Sequence, residues 1–228
     1  TVAGGIEPER ARRAVETWFD DVPARPVVKA PLPQEPPQTQ ARKKTVVGNV
    51  PRAVVFSAFH IPARDADDYP AVEILSEALT GGKASRLYHE LVKKRRLATN
   101  VYSFSWALHE PGMLSINAQL APGVSPETYD AALRECLDNL ADIAADEIER
   151  CVNKIESADW FEKTTMIHRA IALAVYDALG KPELVNDNVR IMRELSVDQI
   201  RDAVRYFRAE NSSTLYYLPN TSDNGISH

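Results

Sequence analysis

Cysteine is nearly absent: Cys136 and Cys151 are the only two in 228 residues. That is too few for a disulfide scaffold or a cysteine-built zinc finger. Both are expected to be reduced and half-buried on helices. Histidine is as sparse, and His60, His89, His109, His168 and His228 include no two within five positions of each other. A helix-borne zinc hydrolase site needs two imidazoles one turn apart with a carboxylate between them. The residues four places either side of His89 are Ser85 and Lys93, so His89 reads as an ordinary helix histidine and the chain carries no recognisable zinc site. No apolar run approaches the roughly 18 residues of a membrane-spanning helix. A basic excess is missing too, since 27 Lys and Arg face 32 Asp and Glu for a net charge of -5. Phosphate binding needs the opposite balance, which argues against a nucleic-acid module. No serine sits in a G-x-S-x-G nucleophile turn.

One stretch imitates a phosphate loop. Thr80-Gly81-Gly82-Lys83-Ala84-Ser85 offers a Gly-Lys pair, but the loop needs glycine five positions earlier and a hydroxyl directly after the lysine. Glu77 and Ala84 stand there instead. A carboxylate repels phosphate and a methyl cannot hold magnesium, so nucleotide binding is excluded.

What remains has a globular composition, 44% hydrophobic and 26% charged, enough for one large domain or a domain plus a fragment. The start at Thr1, without initiator methionine or signal sequence, reads as a cut piece of something longer. Residues 1–21 hold a short apolar strand at Val2-Ala3-Gly4-Gly5-Ile6 and then a helix, which Pro8 suits at its first turn. Ala11, Ala14, Val15, Trp18 and Phe19 recur there at helical spacing. Residues 22–41 carry six prolines, the signature of an extended, semi-rigid linker. Residues 42–220 form the domain proper, and residues 221–228 a tail.

Within that domain, Lys44 to Val47 and Ala53 to Ile61 read as strands. Asp65 to Asp68 supply an acidic first turn for a helix to Leu79, stopped by Gly81-Gly82. A second helix runs from Ser85 to about Arg95. Its basic end, Lys93-Lys94-Arg95-Arg96, reads either as a match to the helix dipole or as a site for an acidic partner, and the former is favoured. Tyr102, Phe104, Trp106 and Leu108 then alternate with small residues, turn at His109-Glu110-Pro111-Gly112, and return through Leu114, Ile116, Ala118 and Leu120. This is a hairpin with one buried face; the aromatic residues could stack on a ligand, but their alternation favours that buried face, with His109 exposed in the turn. From Ser125 onward the period is helical. Asp146 is placed at a helix cap, Ile167, Ile171, Val175 and Leu179 continue the pattern to Gly180, and Pro182 opens a further helical stretch. Ser196 and Gln199 make a capping box, and Ser213 to Leu218 closes the chain as a strand. The expected fold is α+β, a largely antiparallel sheet with helices packed on one face.

Leu79-Thr80-Gly81-Gly82-Lys83-Ala84-Ser85-Arg86-Leu87-Tyr88 resembles the L-x-G-G-x-x-S-R-L segment of the pitrilysin/insulinase family of zinc metallopeptidases, which includes the mitochondrial processing peptidases. Asp67-Asp68-Tyr69-Pro70 ahead of it, Leu91 and Leu97-Ala98 behind it, and the hairpin ending at Pro122-Gly123 fit the same family. So do the opening Val2 to Pro8, Trp18-Phe19-Asp20-Asp21-Val22-Pro23, and Leu215-Tyr216-Tyr217-Leu218-Pro219 at the close. The inverted zinc motif H-x-x-E-H of that family occurs nowhere here. The resemblance therefore implies the second, non-catalytic domain, carrying the last strand and helix of the preceding one, with no cofactor in this chain and zinc in a homologous partner domain or subunit. The two halves would enclose a peptide, and this chain alone would be inactive. Gly81, Gly82, Lys83, Ser85 and Arg86 become candidate substrate contacts, because glycine permits close backbone approach; a plain helix C-cap is the rival reading of the glycines.

The resemblance also exposes a departure. The family's arginine and tyrosine, seven residues apart and directed at the substrate, fall here on Val92 and Thr99. A structural or assembly subunit of the same fold is the alternative implied, with an unrelated α+β binding module the third.

Overall fold

The computed structural model describes residues 1–25, 35–107 and 109–220. Pro26, Pro31 and Pro33 of the linker, Leu108 of the hairpin and the tail at 221–228 lie outside the described residues. The chain divides into two compact units, one of Thr1–Pro37 with Ala158–Val185 and one of Gln38–Ser157 with Asn186–His228.

In the first unit, α1 (Pro8–Phe19) begins with proline at its first position, where a missing N–H costs nothing. None of its residues is buried. Residues 1–7 join no strand among the described residues. The other helix wholly within this unit is α5 (Met166–Ala178), capped by Thr165, whose hydroxyl accepts from the His168 N–H. It ends in a Schellman turn: the Gly180 N–H donates to the Asp177 carbonyl and the Lys181 N–H to the Tyr176 carbonyl, with Gly180 at φ 73°. Of the helical pattern there, Ile167 and Ile171 are exposed, Val175 is half-buried and Leu179 is buried.

The second unit is built on five strands: β1 (Arg42–Gly48), β2 (Val54–Ile61), β3 (Ala98–Trp106), β4 (Gly112–Leu120) and β5 (Ser212–Pro219), in the order β1-β5-β2-β4-β3. Every pairing is antiparallel except β1 with β5. Strand β2 shows the reason in its sequence, because Val55, Phe59 and Ile61 are buried while Val54, Phe56 and His60 are half-buried on the opposite face. The buried face packs on α2 (Tyr69–Thr80), α3 (Pro126–Asp138), α4 (Ala145–Glu162), α6 (Leu184–Glu194) and α7 (Val197–Asp202), sharing one core with Leu75, Leu79, Leu133, Ile148 and Ile200. The α+β expectation, with helices on one sheet face, describes this unit. Ser196 and Gln199 form the reciprocal capping box at the start of α7. Among the described residues no helix is long and apolar enough to cross a membrane.

Three local expectations change. Helix α2 starts only at Tyr69, and its first turn holds no acidic residue. The Asp68 carboxylate instead accepts from the Tyr206 hydroxyl at 2.7 Å and pairs with Arg205. Asp146 lies inside the first turn of α4 rather than at its cap. The largest change concerns the hairpin: Tyr102, Phe104 and Trp106 are 50%, 55% and 65% exposed, while Val101 and Ala107 are buried. The alternation is present with the opposite phase. Helix α2 lies close over β3, and Ser103 meets it through hydroxyl bonds to Ser76 and Thr80, so small polar residues take the covered side and the rings take the open one.

Candidate functional site

The five residues singled out from the sequence lie between α2 and a π-helical turn at Tyr88–Lys94. Gly81 closes α2, its N–H bonding the Glu77 carbonyl at 2.7 Å. A Cβ there would collide with the Glu77 carbonyl and carboxylate. Gly82 adopts φ 94°, in the left-handed region that side chains disfavour. Gly82 and Lys83 are exposed and form the accessible tip. Ser85 is buried, and its hydroxyl donates to the Gly82 carbonyl at 2.7 Å. Arg86 reaches in the other direction: its guanidinium grips the Glu147 carboxylate with two bonds of 2.8 and 2.6 Å and donates to the Asn139 carbonyl at 2.9 Å. Its charged form is stabilised chiefly by the hydrogen bonds to Glu147, against the cost of burial.

Ser85 and Arg86 thus fasten the loop, and Gly82 and Lys83 present it. Lys154 completes the arrangement, pairing with Glu77 at 2.6 Å and donating to the Gly81 carbonyl. Sequence reasoning missed Lys154, and no local spacing could have revealed it, because it comes from α4, distant along the chain.

At the far end of the π-helical turn, Val92 packs against the core, and the Thr99 hydroxyl is held by Gln119 through its backbone and side-chain oxygens. Thr99 is the extra residue of a bulge, since Ala98 pairs with Leu120 and Asn100 with Gln119. Of the basic run, Lys94 and Arg95 are paired with Glu90 at 3.1 and 2.7 Å, and Arg95 also with Glu135 at 2.8 Å.

A half-open cavity of about 180 Å³ lies between α2, β3, β4 and α4, with Glu73, Glu77, Ser76 and Ser105 among its walls. Burial raises the Glu73 carboxyl above its ordinary range, opposed by the charge of Arg64 and a hydrogen bond from Asn188. The thiols of Cys136 and Cys151 are free, and burial pushes both up to about 11. His109 is exposed, as expected of the turn. Among the described residues, no three of the His, Cys, Asp and Glu side chains are grouped to hold a metal ion.

On its other side the sheet presents a second face, exposed at its two edge strands and half-buried along β5, β2 and β4, where Asn117 is itself buried. Lys44, Leu215, Phe56, Asn117 and Tyr102 align in one cross-strand row, and Arg42, Ser213, Ala58, Ser115 and Phe104 in the next. Along β3, Phe104 and Trp106 meet edge to face with centroids 5.9 Å apart, a favourable ring geometry.

Residues 1–155 match the sequence profile of the Peptidase M16 inactive domain. The chain belongs to that family. The M16 inactive domain seen here is 28% identical over 198 residues to the zinc protease PqqE of Helicobacter pylori, covering 84% of this chain and 44% of that protein. It thus spans less than half the length of that curated relative. A crystal structure of a protease from Helicobacter pylori superposes with a TM-score of 0.86 at 23% identity, over 95% of this chain and 54% of the other. A peptidase M16 inactive domain from Pseudomonas fluorescens superposes with a TM-score of 0.75 at 21% identity, over 97% and 53%. These two likenesses establish the fold.

Proposed function

We propose that this M16 inactive domain forms one wall of a peptide-binding chamber and supports proteolysis by a separate, homologous, zinc-bearing domain or subunit. The observation that carries this reading is the asymmetry of the sheet. One face is packed under helices, while the other leaves Tyr102, Phe104 and Trp106 in the open. Exposed aromatic surface of this extent marks a binding region more often than a solvated face. The Gly81–Arg86 loop adds a second contact, with Gly82 and Lys83 reaching peptide and Ser85 and Arg86 holding the loop in shape. Zinc belongs to the partner in this reading, and the present chain supplies surface rather than chemistry.

The test is reconstitution with the zinc-bearing half. Peptide cleavage should require both halves, and elemental analysis of this chain after dialysis against dilute zinc should give far less than one metal per chain. Cleavage by the zinc-bearing half alone at the full rate would refute the proposal.

Val92 and Thr99 favour a second reading, a subunit that assembles without taking part in proteolysis. Valine donates no hydrogen bond, and the Thr99 hydroxyl is turned back onto Gln119. Under that reading the two halves would associate, but adding this chain would leave cleavage unchanged.

A further inference from the structure

The two edges of the sheet differ in chemistry. Strand β1 reads Arg-Lys-Lys-Thr-Val-Val-Gly, whereas β3 reads Ala-Thr-Asn-Val-Tyr-Ser-Phe-Ser-Trp. Lysines and arginines on an edge discourage further strands from pairing, and a long uncharged edge invites them. Acidic residues outnumber basic ones by 32 to 27 in the whole chain, yet none of the five strands contains an aspartate or glutamate.

The cations are sorted by face. Lys43 turns to the helix-covered side, where it pairs with Asp130 at 2.6 Å. Arg42 and Lys44 fall on the open side, exposed and, among the described residues, without an ion-pair partner. Glu73 and Glu77 line the cavity under α2, on the opposite side from the rings. The open face therefore runs from two unneutralised cations on β1 to three exposed rings on β3, with no strand carboxylate between them.

We propose that this face binds an extended peptide segment that carries carboxylates at one end and aromatic or large apolar side chains at the other. The inference rests on the chamber-wall reading and gives that wall a substrate class. Charge complementarity decides it, because a basic segment would meet Arg42 and Lys44 with nothing to offset them. The span sets the spacing. Five strands give four intervals of about 4.8 Å, so the rows from Lys44 to Tyr102 and from Arg42 to Phe104 are about 19 Å long. An extended chain covers that in about six residues.

The experiment measures binding of fluorescently labelled synthetic peptides to this chain. One peptide has two aspartates and two aromatic residues separated by four serines, a second has lysines for the aspartates, and a third has alanines for the aromatic residues. The aspartate–aromatic peptide should bind about tenfold tighter than either control, and the gap should narrow as salt screens the exposed charges. Arg42→Glu with Lys44→Glu should reverse the order of the first two peptides. Phe104→Ser should weaken the first peptide and leave the third unaffected. Thermal melts of each variant check that it folds.

Equal binding of the acidic and basic peptides, or a charge-reversed variant that keeps the original order, would overturn the inference. So would sedimentation showing that a second copy of this chain occupies β3 and excludes the peptide. If cleavage by the zinc-bearing half requires this chain but shows no preference for acidic peptides, this inference falls and the chamber-wall reading stands. If cleavage does not require the chain, the chamber-wall reading itself falls.

Discussion

Replacing Arg86 by alanine tests whether the loop between α2 and the π-helical turn is fastened from within. Arg86 makes three hydrogen bonds, two of them to the Glu147 carboxylate, and both side chains are largely shielded, at 23% and 17% exposure. Losing the guanidinium leaves a mostly buried carboxylate without its cation and the Asn139 carbonyl without this donor. Charge-assisted bonds contribute about 1.5–3 kcal/mol each, and a fully buried pair broken on one side costs about 3–5 kcal/mol. Residual exposure lets water reach Glu147, which brings the expected loss for Arg86→Ala to about 2–3 kcal/mol. Arg86→Lys keeps the charge and loses the fork, for a loss of about 1 kcal/mol. In a domain of this size the alanine variant should melt about 4–12 °C lower, at about 2–4 °C per kcal/mol. Urea denaturation of Arg86→Ala, Glu147→Ala and the double variant closes a cycle whose coupling should exceed about 1 kcal/mol. A loss below about 0.5 kcal/mol for Arg86→Ala with no coupling would refute the reasoning, and would leave Arg86 available for substrate instead.

Other consequences can be checked on the same protein. Gly82→Ala, at φ 94°, should cost about 1 kcal/mol in urea, because alanine disfavours that conformation. Glu73 keeps its proton to higher pH in the folded chain than in the unfolded one, because burial raises its carboxyl. Its contribution to stability is thus present below the ordinary carboxylate range and declines as pH rises through the raised value. Urea midpoints measured from about pH 4 to pH 8 should fall less steeply for Glu73→Gln than for the parent. Both thiols, pushed up to about 11, should resist iodoacetamide at neutral pH in the native state and react in urea.

The sequence made the elements legible where a chemical signal was local. Ser196 with Gln199, Pro8, and the glycine stop after α2 each act over a single turn, so spacing alone located them. The hairpin was equally visible, but not which of its faces is buried. Period two says that two faces differ and is silent on which one meets the core. Size suggested the rings, whereas the close approach of α2 selected Ser103 for the covered side. Within the loop, the glycines announced the turn. The anchoring by Glu147 and Lys154 depends on residues brought in by folding, and no spacing along the chain encodes such a meeting.

The place of β5 bears on how the sheet is completed during synthesis. This strand comes last among the five yet lies between β1 and β2, the first two made. Until it emerges, β1 has no partner among the five strands and β2 has one side unpaired, so the nascent sheet remains split until Ser212–Pro219 have been made. Loop closure over such a separation is slow, and a stop before residue 212 would remove the strand that joins β1 to the rest of the sheet. Deletion of β5 should therefore damage this fold more than loss of the whole first helix.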